Sequence, residues 1–149
     1  MNMGDLCNRE VYIVEPDEPL AVAAREMCNR HVGTLVVVRR RNDSVVPVGV
    51  VTDRDIVCRQ LARGADLFCL SVGDVMTPDP LCLDETCGLA EAIRHLGARG
   101  VRRAPVINAA GELIGIVAFD DILPELAGEL SGLARLIGNQ ARHERPVAS

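Results

Sequence analysis

The residues best placed to do chemistry are a hydroxyl and a carboxylate three positions apart, Thr52 and Asp55, in the stretch Gly49-Val50-Val51-Thr52-Asp53-Arg54-Asp55-Ile56. A β-rich run ends there and a helix begins. The first N–H groups of a helix lack partners and carry partial positive charge, so this corner offers donors to an anion such as phosphate. A carboxylate beside them can accept both hydrogen bonds of a ribose cis-diol. The same spacing also fits a capping box, in which Thr52 and Asp55 satisfy each other's backbone N–H groups and the acid opposes the helix dipole.

The pattern returns as Gly115-Ile116-Val117-Ala118-Phe119-Asp120-Asp121-Ile122, with Ala118 at the hydroxyl position and Asp121 at the acid. Ala118 has no oxygen with which to cap. If capping were the whole purpose, the second acid would have lost its partner, so its retention favours the diol reading.

The elements that hold these corners are duplicated too. An offset of 69 aligns Gly4-Asp5 with Gly73-Asp74, Leu20-Ala21 with Leu89-Ala90, Val32 with Val101 and Val37 with Val106. It drops to 66 from Gly49 and Gly115 onward, and the loss falls in a loop between strands, where it is tolerated. In the first copy, residues 11–14 read as a strand and Pro19 sits at a helix-compatible first position. Leu20, Ala23, Ala24 and Met27 form the helix stripe, and Gly33 is expected at its break. Residues 34–38 are β-branched without alternation, a strand buried on both faces. A polar hairpin (39–44), a strand (45–52) and a helix (53–63) complete the unit.

A linker (64–70) and a helical turn stopped by proline (71–78) lead into the second copy. It reads as strand 80–83, helix 86–99 capped by Thr86, strands 103–107 and 112–118, and a tight turn at 108–111. The domain reading is a first unit at 1–66, a second at 67–123 and a helical tail at 124–149. The fold class is α/β (α+β), two β-α-β-β-α units whose sheets pack as one body. In the tail, Leu123, Leu126, Leu130, Leu133 and Ile137 form a narrow seam suited to another helix. Pro124 should kink or restart that helix, and residues 142–149 are expected to be disordered.

Bulk composition narrows the partners. A net charge of −5 argues against a broad nucleic-acid or anionic-membrane surface. With one Tyr, two Phe and no Trp, base-stacking platforms are improbable and the interior must be aliphatic. No apolar run reaches the roughly 18 residues of a membrane span and the start does not read as a signal peptide, so a cytoplasmic protein is expected. Cys7, Cys28, Cys58, Cys69, Cys82 and Cys87 lack metal spacing and read as buried or half-buried thiols; no metal is expected. His31, His95 and His143 read as helix-end or surface residues.

At this point the chain resembles the tandem CBS (cystathionine beta-synthase) domain, or Bateman module. The two corner motifs carry the resemblance, with Val75-Met76-Thr77-Pro78 between the units and Val101-Arg102-Arg103-Ala104-Pro105-Val106-Ile107 on the second central strand. It covers roughly residues 3 to 124. It implies pseudo-twofold symmetry and two clefts that bind adenine nucleotides such as AMP, ADP, ATP or NAD. By the same resemblance one cleft uses Thr52, Arg54 and Asp55 with Asp79, Pro80, Val101, Arg102 and Arg103. The other uses Ala118 and Asp121 with Glu10, Val11, Val32, Gly33 and Thr34.

The first cleft is the stronger expected phosphate site, because it has the hydroxyl and the arginines. The implied function is a regulatory, signal-transducing module without catalysis. It is expected to form a homodimer through its units and C-terminal helix and to act on an unidentified protein partner. The alternatives are a structural or protein-interaction unit without ligand, and a small enzyme using the Asp55 corner with Cys58 or His95.

Overall fold

The computed structural model describes residues 1–144. The first half contains α1 (Met3–Leu6), β1 (Ile13–Val14), α2 (Leu20–Arg30), β2 (Thr34–Arg41) and β3 (Ser44–Thr52), followed by a π-helix (Asp55–Leu61) and a 3-10 turn (Leu67–Cys69). Next come α3 (Val72–Val75), β4 (Thr77–Pro78), β5 (Leu83–Asp84), α4 (Leu89–Arg99), β6 (Arg103–Ile107), β7 (Leu113–Ala118) and α5 (Phe119–Glu144). The strands form a four-stranded sheet, β1-β2-β3-β4, and a three-stranded sheet, β5-β6-β7. In each sheet a short strand runs parallel to the central one, and the next strand pairs antiparallel.

The aliphatic pattern explains the cores. Leu35, Val36, Val37 and Val38 are fully buried, as a non-alternating strand requires. Leu20, Ala23 and Met27 on α2, and Ala92 and Leu96 on α4, recur at three- and four-residue spacing and face inward.

Each core also takes a short helix from the other half of the chain. Met3 of α1 packs with Leu83, Leu96, Val106, Val117 and Ile122 of the second half. Val72 and Val75 of α3 pack with Leu20, Leu35 and Val51 of the first. Both short helices open with a capping box, Asn2 with Asp5 and Ser71 with Asp74. The strands that follow them also correspond. Gly49 and Val50 pair with Pro78 and Thr77, and Ile116 exchanges backbone hydrogen bonds with Asn8 at 2.8 and 2.9 Å.

Glycine makes that approach possible. A Cβ on Gly49 would sit 2.9 Å from the Thr77 carbonyl oxygen, and one on Gly115 would sit 2.9 Å from that of Asn8. The sulfurs of Met76 and Cys7 lie over the same two glycines. The pseudo-twofold relation is visible directly. Arg103 Nη1 donates to Thr34 Oγ1 at 3.4 Å, and the Arg41 guanidinium donates to the Ala110 carbonyl; in both pairs the partners are 69 residues apart. Equivalent positions therefore meet each other where the halves join.

Several local expectations change. The α2 helix ends on His31 at φ 54°, so His31 takes the left-handed position that Gly100 takes after α4, and Pro19 is the N-cap rather than the first helical residue. Gly33 serves a different purpose: its absent Cβ would lie 3.0 Å from Asp53 Oδ2. Thr86 does not cap α4, whose N-cap is Gly88; its hydroxyl donates to Asp84 Oδ1 at 2.7 Å. The hairpin narrows to Asn42-Asp43, with Arg39, Arg40 and Arg41 exposed on β2. The α5 helix runs through Pro124 as one element and includes residues 142–144, against the expected restart and the expected disorder there. The remainder of that disorder expectation, 145–149, lies outside the described residues.

Cysteine exposure is another correction. Cys28, Cys58 and Cys69 are exposed, Cys7 and Cys82 half-buried, and only Cys87 buried. Burial pushes the thiols of Cys7, Cys82 and Cys87 up, so they stay protonated.

Two predictions follow the packing. Gly115→Ala must displace the Asn8 backbone and should cost about 1–3 kcal/mol in urea unfolding, with an unchanged m-value. The Asp74 carboxyl is held low by the Ser71 N–H and hydroxyl, and that of Asp84 by the Thr86 hydroxyl and N–H. Depressed carboxylates stabilise fully above their unfolded value of about 3.9 and lose that contribution as pH falls through the folded value. The melting temperature should therefore drop below about pH 4, and the drop should shrink in Asp74→Asn with Asp84→Asn.

Candidate functional sites in two clefts

At the end of β3 the chain turns straight into helix, and Thr52 and Asp55 form a complete capping box. Asp55 N–H donates to Thr52 Oγ1 at 3.0 Å, and Thr52 N–H donates to Asp55 Oδ2 at 3.1 Å. Arg59 Nε lies 3.6 Å from Asp55 Oδ1, and the Asp55 residue is 9% exposed. Past the corner, the Ala62 N–H bonds to the Val57 carbonyl at 3.2 Å, the i→i+5 spacing of a π-helix.

The second corner keeps half of that box. Ala118 N–H donates to Asp121 Oδ2 at 3.3 Å. The inference that Asp121 would lose its capping partner is thus corrected, because the backbone N–H remains when the hydroxyl is lost. Asp121 is exposed, unlike Asp55.

A cavity of about 320 Å³ opens beside the first corner. Thr52, Arg54, Val101, Arg102 and Arg103 line it, so five of the eight residues expected for this cleft come together. Asp55, Asp79 and Pro80 are not in its lining. Asp55 is turned into its cap. Asp79 is exposed in a left-handed conformation, φ 51°, with its carbonyl accepting from Arg99 Nη2 at 2.9 Å; Pro80 is half-buried next to it.

The second cavity is also about 320 Å³, and all seven residues expected for it are present: Glu10, Val11, Val32, Gly33, Thr34, Ala118 and Asp121. Sequence reasoning missed Asp120, Tyr12 and His31 in this lining, and missed Thr34 in the first. The repeat held the signal for Asp120, the equivalent of Arg54; Thr34 and Arg103, equivalent to each other, each also reach across the junction into the opposite cleft.

The clefts are unlike in charge. The first carries Arg54, Arg102 and Arg103 with no acid in its lining, while the second carries Glu10, Asp120 and Asp121 against Arg103 and His31. Arg102 Nη2 also lies 3.5 Å from Asp120 Oδ1, with both side chains exposed. The chain contains no lysine, so every fixed cation side chain is a planar guanidinium suited to phosphate oxygens.

Other expected chemistry has no support in this geometry. Cys58 and His95 line neither cleft, and His95 Nε2 faces Glu91 Oε1 at 3.5 Å. Among the described residues, no three His, Cys, Asp or Glu side chains cluster as metal ligands. No described helix is long and apolar enough to cross a membrane.

Comparison with known proteins agrees with this architecture. The CBS domain family model matches twice, over residues 3–61 and 72–128. An uncharacterised protein of Methanopyrus kandleri is 28% identical over 83% of this chain, which spans 61% of that relative's length. The crystal structure of Hypoxic Response Protein I with two coordinated zinc ions superposes with a TM-score of 0.72 and 30% identity, covering 84% of this chain and 98% of that one. The Arabidopsis thaliana protein CBSX2 in complex with AMP gives 0.70 and 28%, covering 85% and 96%.

The unequal capping boxes can be tested against each other. Thr52→Ala should lower stability by about 1 kcal/mol in urea unfolding, whereas Ala118→Ser should supply the missing acceptor and raise it by several tenths.

Proposed function

The chain belongs to the CBS domain family as a tandem pair, and we propose from that premise that it is a regulatory module that binds an adenine nucleotide, AMP, ADP, ATP or NAD. The phosphates occupy the cleft at the Thr52 corner. The observation that carries this reading is the cation-rich cavity at the junction of the halves, where Thr52 meets Arg54, Arg102 and Arg103 without an acid in the lining. The guanidinium groups carry the phosphate reading, because the N–H groups of the helix start are already used: Asp53 N–H donates to the Gly33 carbonyl at 3.0 Å, Arg54 N–H to Asp53 Oδ1 at 2.8 Å and Asp55 N–H to Thr52 Oγ1 at 3.0 Å.

Asp55 is assigned to the ribose. Its oxygens already serve Thr52 and face Arg59, but each carboxylate oxygen has two lone pairs, so capacity for the diol remains. Asp79 and Pro80 are assigned to the base side of the same cleft. The complex of AMP with the similar protein CBSX2 supports the ligand class. A second reading, a protein-interaction unit without ligand, draws on one observation: both corner acids already have a structural use in capping.

The bound state is passed on through association. Leu123, Leu130, Leu133, Leu136 and Ile137 on α5 are 48–62% exposed, and a Cβ on Gly128, Gly132 or Gly138 would meet nothing within 4 Å. Three glycines cost an isolated helix about 1 kcal/mol each relative to alanine, and an uncovered leucine seam adds no packing in return. A second copy of the chain, seated along this seam, supplies the missing packing and makes the module a homodimer.

Calorimetric titration tests the site. Arg54→Gln with Arg102→Gln should weaken ATP binding about tenfold or more and leave adenosine affinity nearly unchanged, since charge-assisted bonds to phosphate are lost while the nucleoside contacts stay. Unchanged ATP affinity would remove the phosphate assignment. For the dimer, light scattering should give twice the chain mass, and Leu130→Glu with Leu133→Glu should halve it.

A further inference from the structure

We infer that the two clefts share one guanidinium, that of Arg103, so that a phosphorylated nucleotide in one weakens the binding of a second in the other. This inference rests on the nucleotide reading above and adds how its two sites regulate each other. Arg103 lines both cavities, as does Thr34, its equivalent in the other half. Its Nη1 donates to Thr34 Oγ1 at 3.4 Å, a long bond on an exposed side chain at the seam between the clefts.

The need for Arg103 is unequal. The Thr52 cleft has Arg54 and Arg102 besides, so a phosphate there is not dependent on a single cation. In the lining of the Asp121 cleft, Arg103 is the only arginine beside Glu10, Asp120 and Asp121, with His31 as the one other basic group; Arg102 reaches Asp120 from outside that lining at 3.5 Å, which leaves Glu10 and Asp121 uncountered. Like charges in a partly enclosed site repel an anion strongly. When a nucleotide in the Thr52 cleft draws the guanidinium to its phosphates, the second cleft is left acidic. It then admits an uncharged nucleoside and binds a nucleoside phosphate more weakly. Coupling of this kind between sites is reciprocal, and typical values change affinity by about 5–150-fold.

Calorimetry on the full chain with AMP and adenosine as probes tests the sharing. Wild type should take two adenosines per chain, but one AMP tightly and a second at least tenfold more weakly. Val101→Trp fills the mouth of the Thr52 cleft from an exposed position, 39% accessible. It should restore AMP binding in the Asp121 cleft by about the same factor, and Arg103→Gln added to it should abolish the gain. Should Val101→Trp not fold, Val101→Phe is the plug, and adding Arg103→Gln to it must return AMP affinity in the Asp121 cleft to that of the second wild-type AMP. Two AMP sites of equal affinity in the wild type, with AMP affinity in the Asp121 cleft unchanged by the plug, would overturn the sharing while leaving the nucleotide reading intact. Failure to bind either probe would overturn both.

Discussion

Everything in this fold depends on an exchange. Neither half completes its own core: Met3, from the start of the chain, fills the second half, and Val72 and Val75, from the middle, fill the first. The exchange is secured by two backbone approaches that only glycine permits, at Gly49 and Gly115. Burial of each apolar residue contributes roughly 1.5–3 kcal/mol, so separating the halves would expose a costly hole in each. The junction between halves is consequently as fixed as a core, and the clefts lie along it.

That fixed junction turns a local feature into a composite one. A strand-to-helix corner is common and its capping box is structural. What distinguishes the Thr52 corner is that the other half delivers to it Arg103, the first residue of β6, and Arg102 just before it. The opposite corner receives Thr34, the first residue of β2, and Gly33 just before it in the same positions, so symmetry of backbone coexists with asymmetry of charge. Two cavities of similar volume thus differ in charge without any difference in fold.

Much of this was legible in the sequence because it was duplicated. The repeat located the units, and β6 and the buried run of β2 fell where β-branched residues placed them. Five of eight residues in one cleft and all seven in the other do gather. What stayed hidden was set by contacts remote in sequence. Two-residue strands such as Thr77–Pro78 have no periodicity and owe their existence to a neighbour, β3. His31 ends a helix in a conformation for which glycine is the usual candidate, and Gly33 answers to Asp53 twenty residues away. The partner of Asp121 was equally hidden, because an alanine keeps its N–H, which is enough to hold the acid.

The most direct measurement is a crystal structure of the chain grown with ATP. The account predicts phosphate oxygens within about 3 Å of guanidinium nitrogens of Arg54, Arg102 or Arg103 beside Thr52, with the ribose directed to Asp55. ATP seated with its phosphates in the Asp121 cleft, or outside both clefts, would contradict it.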